Sequence, residues 1–163
     1  MTTELITAIE AMDPAALEAI GLGFGALMIT GILFALIRYL MHAIGYSKMY
    51  RKAGVASWKA FIPVYHTYNN YKISWNGKMF LLSAALYILL SVLGGAEALA
   101  VQLAAAAAGI ALIVVTVKQN VKMAKLFGKG NGTGIALMFF PGITSLILGL
   151  GKAEFQGEMI ENN

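Results

Sequence analysis

The sequence contains no cysteine, and charged residues make up only 12% of its 163 positions. Without cysteine the chain has no disulfide bond, no thiolate nucleophile and no thiolate metal site. Ordinary soluble domains are about a quarter charged. A chain that is 59% hydrophobic and so poor in charge has the composition of a membrane protein.

Four apolar runs lack any charged residue, and they cover residues 20–37, 79–96, 98–117 and 132–151. Each is close to the length of about 20 residues with which a helix crosses ~30 Å of hydrocarbon. No Lys or Arg precedes Arg38, so the first run lacks the basic region of a secretory signal, and we expect it to stay as a span. We therefore predict an all-α polytopic membrane protein with four transmembrane helices and short interfacial helices.

The distribution of charge predicts the orientation of these spans. Basic residues cluster after the first and third runs, whereas the acids lie in the N-terminal segment, at Glu97 and after the fourth run. Short loops rich in Lys and Arg stay cytoplasmic, so both termini are expected outside. The net charge of +4 expresses this bias, and we predict no nucleic-acid partner.

These arguments divide one integral membrane domain, residues 1–163, into seven segments. They are an outer amphipathic segment (1–13), span one (14–44), a cytoplasmic aromatic and basic interfacial loop (45–78), span two (79–96), span three (98–117, with a cytoplasmic extension to 128), span four (132–151) and an outer tail (152–163).

The loop 45–78 carries both tryptophans, most tyrosines and no acid. Pro63 interrupts its helical spacing, so we expect two short helices with a bend. The aromatic residues fit two interpretations, a belt at the lipid headgroups or a docking face for a protein partner. The candidate residues are Trp58, Phe61, Pro63, Tyr65, His66 and Tyr68.

A basic stripe follows span three and leads into a glycine-rich turn. Lysines at spacings of four, three and four share one helix face, and glycine amides at a helix N-terminus attract anions. The turn lacks the pattern of a nucleotide-binding loop, so we predict contacts with anionic lipid. The candidate residues are Lys118, Lys122, Lys125, Lys129, Gly130 and Gly132.

Ionisable or strongly polar residues within or beside the spans are the remaining candidates: Arg38, His42 and Gln102. Arg38 can extend its side chain to the headgroups. His42 has no acid or second histidine near it in sequence, so we predict an interfacial residue and no metal site. Gly21 and Gly25, one turn apart, would let a neighbouring helix approach closely.

Two stretches, GVASWKAFIPVYHTYNNYKI and VKMAKLFGKGNGTGIALMFFPGITSLILGLGKAEFQG, carry a resemblance that spans about residues 46–157. They resemble a family of small bacterial membrane proteins of unknown function, some of which bear a signal-peptidase label. The resemblance implies a bacterial cytoplasmic membrane and supplies no activity. The sequence departs from the family in having His66 where asparagine is usual, and in its alanine-rich third span.

The sequence offers little chemistry for an enzyme, because no span contains an acid and no carboxylate pair or metal cluster is visible. A peptidase would have to use Ser91 with Lys152. We predict a non-enzymatic protein without a cofactor, an accessory or scaffold subunit of a membrane complex that contacts lipid, a protein partner or further copies of itself. The alternative is a small oligomeric channel or uncoupled transporter.

Overall fold

The computed structural model describes residues 13–95 and 98–158, and within these ranges it contains six α-helices, one 3₁₀ helix and no β-strand. The elements in chain order are α1 (Pro14–Lys52), the 3₁₀ helix (Ser57–Phe61), α2 (Pro63–Ser74), α3 (Gly77–Leu93), α4 (Leu99–Leu126), α5 (Asn131–Phe139) and α6 (Pro141–Leu150). The all-α prediction is confirmed. Residues 1–12 of the predicted outer segment 1–13, Glu97, and residues 159–163 of the predicted outer tail lie outside the described residues.

Local signals explain where several helices begin and end. Asp13 accepts a hydrogen bond from the main-chain N–H of Ala15, and Pro14 occupies the first helical position. The Asn76 side chain caps α3 by accepting from the N–H of Met79. After α4 the chain reverses at Gly128, whose φ of 67° is a conformation that favours glycine. These boundaries follow from residues next to one another in sequence.

Helix α1 is longer than predicted, because residues 45–52 continue it. The sequence analysis assigned these residues to the interfacial loop. No helix-breaking proline stands there, and Tyr46, Met49 and Tyr50 on these last turns are buried. Burial of this face holds the segment helical to Lys52.

Two helices, α1 and α4, are long and apolar enough to cross a membrane, and α3 and α6 are apolar but shorter. The run predicted as span four is divided into α5 and α6 at Phe140, because Pro141 starts a new helix. Proline lacks an N–H and clashes with the preceding turn, so a single continuous helix cannot pass through it undisturbed. The predicted single helix is therefore two helices in this structure.

The chain separates into two compact units, residues 1–39 and residues 40–163. The described part of the first unit is the N-terminal portion of α1. Its large apolar side chains are exposed on every face of the helix, as at Leu22, Leu27 and Phe34. No part of the most hydrophobic window of α1 is buried within the chain.

The second unit has a core built from its helices and the turns between them. The core contains aromatic and sulfur-containing side chains from α1 and α4 and smaller residues from the other elements. Its members are Tyr46, Met49, Tyr50, Ala53, Val55, Ala60, Ile73, Met123, Ala124, Phe127, Leu137 and Leu148. The alanine-rich part of α4 contributes little, since only Ala105 and Ala108 of its alanine run are buried. The alanine run is therefore buried on one face only.

Lys52 joins the end of α1 to the end of α6. Its ammonium group donates hydrogen bonds of 2.8 Å to the carbonyl oxygens of Leu148, Gly151 and Ala153. The last carbonyls of a helix have no partner within the helix, and a lysine side chain can satisfy them. The C-terminal end of α6 therefore lies beside the C-terminal end of α1.

A second set of contacts adds α4 and α2 to the same end of the unit. The N–H of Gln156 donates to the carbonyl oxygen of Leu126 at 2.7 Å. The Lys122 ammonium lies 3.9 Å from the centroid of the Trp75 ring. We call this end, marked by Lys52, Trp75, Leu126 and Gly151, the basal end.

These contacts also show where the two ends of the run predicted as span four lie. Helix α5 begins close to the basal end and α6 returns to it, so residues 131–150 form a hairpin of two half-length helices, each about 15 Å or less. Residues 126 and 156 share a hydrogen bond and cannot lie on opposite faces of a bilayer. Leu126 and Gln156 therefore lie at the same end of the second unit.

Most of residues 45–78, which the sequence analysis predicted as an interfacial loop, is helical. Its proline bend is present between the 3₁₀ helix and α2, as expected. Helix α2, however, packs along α3 and α4. Tyr68 contacts Phe80 near the start of α3, whereas Pro63 and Tyr87 line the same cavity further along α3, so α2 and α3 are antiparallel.

Candidate functional site

A cluster of polar and aromatic side chains lies between the last turns of α1 and helix α2, centred on His66. His66 Nε2 lies 2.9 Å from His42 Nε2 and 2.9 Å from the side-chain nitrogen of Asn70. The ring of Tyr46 meets the His66 ring edge-on at a centroid distance of 4.5 Å. The two histidines of the sequence, 24 residues apart, are thus in direct contact.

Tyr50 fixes the other side of the His66 ring. Its hydroxyl oxygen lies 3.2 Å from His66 Nδ1, 2.7 Å from the His66 carbonyl oxygen and 2.8 Å from Asn70 Oδ1. Tyr50 is buried, and burying a hydroxyl without a hydrogen bond costs free energy. These contacts hold the imidazole in one orientation.

Burial and the neighbouring His42 ring together lower the pKa of His66 to about 3, with burial the larger cause. An imidazole ordinarily gains its proton near pH 6.5. His66 is therefore neutral at physiological pH. A neutral imidazole keeps a lone pair that can accept a hydrogen bond or bind a metal ion.

Asn70 connects this cluster to α4. Its main-chain carbonyl oxygen accepts hydrogen bonds from Ser74 Oγ at 2.6 Å and from Gln119 Nε2 at 3.4 Å. Asn70 and Gln119 also line a cavity of about 730 Å³ between α2, α3 and α4. Most of the cavity wall is apolar, with Thr67, Ser83 and Thr116 among the lining residues.

Sequence reasoning missed this cluster, since it judged each histidine by its neighbours in sequence. His42, Tyr46 and Tyr50 recur every four residues and share one face of α1, and His66 and Asn70 repeat that spacing on α2. This matched spacing was a usable signal. It does not by itself tell which two helices pack together.

The predicted docking residues lie on the surface of the 3₁₀ helix and α2. Trp58, Phe61, Tyr65 and Tyr68 are exposed, with Trp58 the most exposed at 53%. Trp58 and Tyr65 meet edge-on at 5.5 Å, and Pro63 starts α2. We call these four exposed rings the aromatic patch. His66, grouped with them in sequence, instead turns into the cluster with His42.

The residues predicted to bind lipid differ in how far they are exposed. Lys118, Lys125, Lys129, Gly130 and Gly132 are exposed around the basal part of α4 and the start of α5. Lys122 is half-buried and lies over the Trp75 ring. We call the exposed lysines Lys118, Lys125 and Lys129 the free face of the basic stripe. Lys122 is left out because its ammonium group lies over the Trp75 ring, just after α2.

The other polar candidates are dispersed. Arg38 is an exposed residue of the first unit, and Gln102 is exposed on α4. Ser91 and Lys152 are not brought together: Lys152 follows Gly151 at the basal end, and Ser91 lies 14 residues, about 21 Å, along α3 from Gly77. The pairing that a peptidase would need is absent from this structure.

Residues 58–158 match DUF5684, a family of unknown function. The chain belongs to this family. No curated protein and no solved structure matches it. The DUF5684 match starts at Trp58, so it includes His66, Asn70 and the α5–α6 hairpin but not His42 or Tyr50 on α1. The resemblance to an uncharacterised family is thus confirmed. The match starts at residue 58, whereas the resemblance was expected from about residue 46.

Proposed function

We propose that this protein is an integral protein of the bacterial cytoplasmic membrane that acts by association, as an accessory or scaffold subunit of a membrane complex. The proposal rests on the exposure of apolar side chains along α1 between residues 14 and 39. This segment is apolar, and its side chains are exposed on every face. An apolar helix with no cover from its own chain needs lipid or another helix around it.

The occupant we propose for the exposed part of α1 is the same helix of a second copy. Gly21 and Gly25 lie one turn apart, and a Cβ atom added at either would meet nothing within 4 Å. Pairs of small residues at this spacing allow two membrane helices to approach closely. Contacts of this kind would make the protein a homo-oligomer held by α1.

The orientation that we propose places the basal end and the C-terminal tail in the cytoplasm and the N-terminus outside. Most basic residues lie on the segments that meet at the basal end, including Lys152, which the four-span prediction left outside. Orientation follows the number of Lys and Arg residues in short loops, and acids such as Glu154 and Glu158 count little. A hairpin at 131–150 therefore agrees better with the charge distribution than a fourth span.

The experiment is the oligomeric state of the purified protein in detergent and in bilayers, measured by mass photometry and by cross-linking. Replacing both Gly21 and Gly25 by leucine should convert the oligomer to monomer. Gly23→Leu is the matched control, because Gly23 is equally open but lies on another face of the helix. A monomeric unmodified protein, or equal effects of the double variant and the control, would refute association through this face.

A second candidate function, an uncoupled transporter or channel, is favoured by the cavity of about 730 Å³ and the broken α5–α6 segment. Cavities of this size hold small molecules, and broken helices recur in transporters. Solute flux through proteoliposomes that contain only this protein would support this candidate. Leucine at Thr116 in the cavity wall should then abolish the flux.

A further inference from the structure

We propose that His42, His66 and Asn70 form a binding site for a divalent transition-metal ion, with Cu²⁺ or Ni²⁺ as the preferred class. The site combines two imidazoles and one amide oxygen from α1 and α2. It is independent of the association through residues 14–39.

The first step concerns Tyr50, which has one hydroxyl hydrogen and faces two oxygen atoms. The His66 carbonyl oxygen is 2.7 Å away and Asn70 Oδ1 is 2.8 Å away. A single hydrogen serves one of these acceptors well, and the other contact then brings two oxygen lone pairs together. Turning the Asn70 amide by half a turn exchanges its oxygen and nitrogen, which are assigned from such networks.

The turned amide satisfies every group around Tyr50. The Tyr50 O–H donates to the His66 carbonyl oxygen, and its two lone pairs accept from His66 Nδ1–H and from the Asn70 amide N–H. The Asn70 oxygen then takes the place 2.9 Å from His66 Nε2. With Nδ1 protonated, His66 Nε2 carries a lone pair.

The second step follows from the atoms that now converge. His66 Nε2 and the Asn70 oxygen present lone pairs to the same space, and His42 Nε2 lies 2.9 Å from His66 Nε2. Without a metal, a hydrogen on His42 Nε2 can be donated to His66 Nε2; with that hydrogen on Nδ1 instead, His42 presents a third lone pair to a cation. The tyrosine hydroxyl supplies the outer hydrogen bond that commonly orients a metal-binding histidine.

The third step selects the metal. Imidazole and amide oxygen suit borderline divalent ions such as Zn²⁺, Cu²⁺ and Ni²⁺. At metal–nitrogen distances of about 2.05 Å, tetrahedral ligation separates two nitrogens by about 3.3 Å, whereas a 90° angle separates them by about 2.9 Å. The observed 2.9 Å is an ordinary hydrogen-bond distance, and it also fits the right-angled geometries of Cu²⁺ and Ni²⁺ without a change in the nitrogen–nitrogen separation.

Among the described residues, no group of three or more His, Cys, Asp or Glu side chains could hold a metal. The two histidines would therefore need a donor of another type, and the Asn70 amide oxygen is the one in place. Water molecules would complete the coordination.

The test uses the full-length protein without a polyhistidine tag, stripped with EDTA and titrated with CuSO₄. We expect one Cu²⁺ per chain by calorimetry and an electron paramagnetic resonance spectrum with coupling to two nitrogens. His42→Gln and His66→Gln should each weaken binding about 100-fold or more, and Tyr50→Phe about 10-fold. Asn69→Ala is the control, because the Asn69 side chain bonds its own helix at the Tyr65 carbonyl.

Circular dichroism of each variant tells loss of the site from loss of the fold. His42 is only partly buried, so His42→Gln keeps the test valid if His66→Gln does not fold. Absence of stoichiometric Cu²⁺ binding, or equal binding by folded His42→Gln and the unmodified protein, would overturn the proposal. In that case the cluster shares a proton and serves only to pack α2 against α1.

Discussion

The main-chain N–H of Gln156 donates a 2.7 Å hydrogen bond to the carbonyl oxygen of Leu126, which joins the C-terminal tail to the end of α4. The rings of Phe127 and Phe155 pack edge-on beside it at 5.5 Å. Residues 131–150 therefore leave and return to one end of the second unit. The membrane orientation that we propose rests on this relationship.

The first prediction is that positions 131 and 158 react from the same face of the membrane. The chain has no native cysteine, so single cysteines at Asn131, Glu158 and Gly95 can be labelled without background. An impermeant maleimide should label Gly95→Cys in intact cells, and the other two only after the cells are opened. Labelling of Glu158→Cys but not Asn131→Cys from outside would restore the fourth span.

The second prediction concerns the three carbonyl groups held by Lys52. Lys52→Met keeps much of the apolar stem but removes all three hydrogen bonds. The expected loss is about 2 kcal/mol of unfolding free energy, which corresponds to a fall of about 5 °C in Tm. Lys152→Met is the control, as Lys152 is exposed at the same end. Thermal unfolding in detergent measures both, and equal midpoints would contradict the role of Lys52.

The third prediction tests the packing of α5 against α4. A Cβ added at Gly134 would lie 2.5 Å from Val121 Cα, whereas one at Gly132 meets nothing within 4 Å. Gly134→Ala should therefore destabilise the protein by about 1–3 kcal/mol. Gly132→Ala on the same helix should be neutral or stabilising, because alanine favours helices over glycine. The same thermal assay compares them, and indistinguishable variants would count against this contact.

The fourth prediction addresses the aromatic patch. Two interpretations of these rings were left open, a docking face and a belt at the lipid headgroups. If Trp58, Phe61, Tyr65 and Tyr68 dock a partner, then Tyr65→Ala with Tyr68→Ala removes the co-purifying partner and leaves the protein inserted and folded. Quantitative mass spectrometry of purified complexes measures this loss. Partners that persist alongside a lowered Tm would instead assign these rings to the lipid headgroups.

The fifth prediction concerns the free face of the basic stripe. Glutamine at Lys118, Lys125 and Lys129 should reduce the anionic phospholipid that stays with the purified protein, because each lysine near an anionic surface contributes about 1 kcal/mol. Glutamine at Lys122 alone is the control, since this lysine lies over the Trp75 ring. Native mass spectrometry reads out the bound lipid. Equal lipid retention by the triple variant and the unmodified protein would refute the lipid contact.

Local backbone chemistry made part of the fold predictable from the sequence. Asp13 and Pro14 predict the start of α1, Pro63 predicts the division between the 3₁₀ helix and α2, and Pro141 interrupts the last apolar run. In each case the deciding residue acts on its immediate neighbours through a capping oxygen or a missing N–H. The apolar runs likewise predict helices, because their composition is a local property.

Only the tertiary structure decided which helices lie together. His42 meets His66 across 24 residues, and Lys52 meets Leu148 across 96. The sequence between two such residues does not indicate that they are in contact. Each histidine was therefore interpreted as isolated, and residues 132–151 were predicted to be a fourth transmembrane helix. The length and hydrophobicity of a run predict how long its helix is. The hydrogen bonds of Lys52 and Gln156 show at which end of the second unit the chain lies after α6.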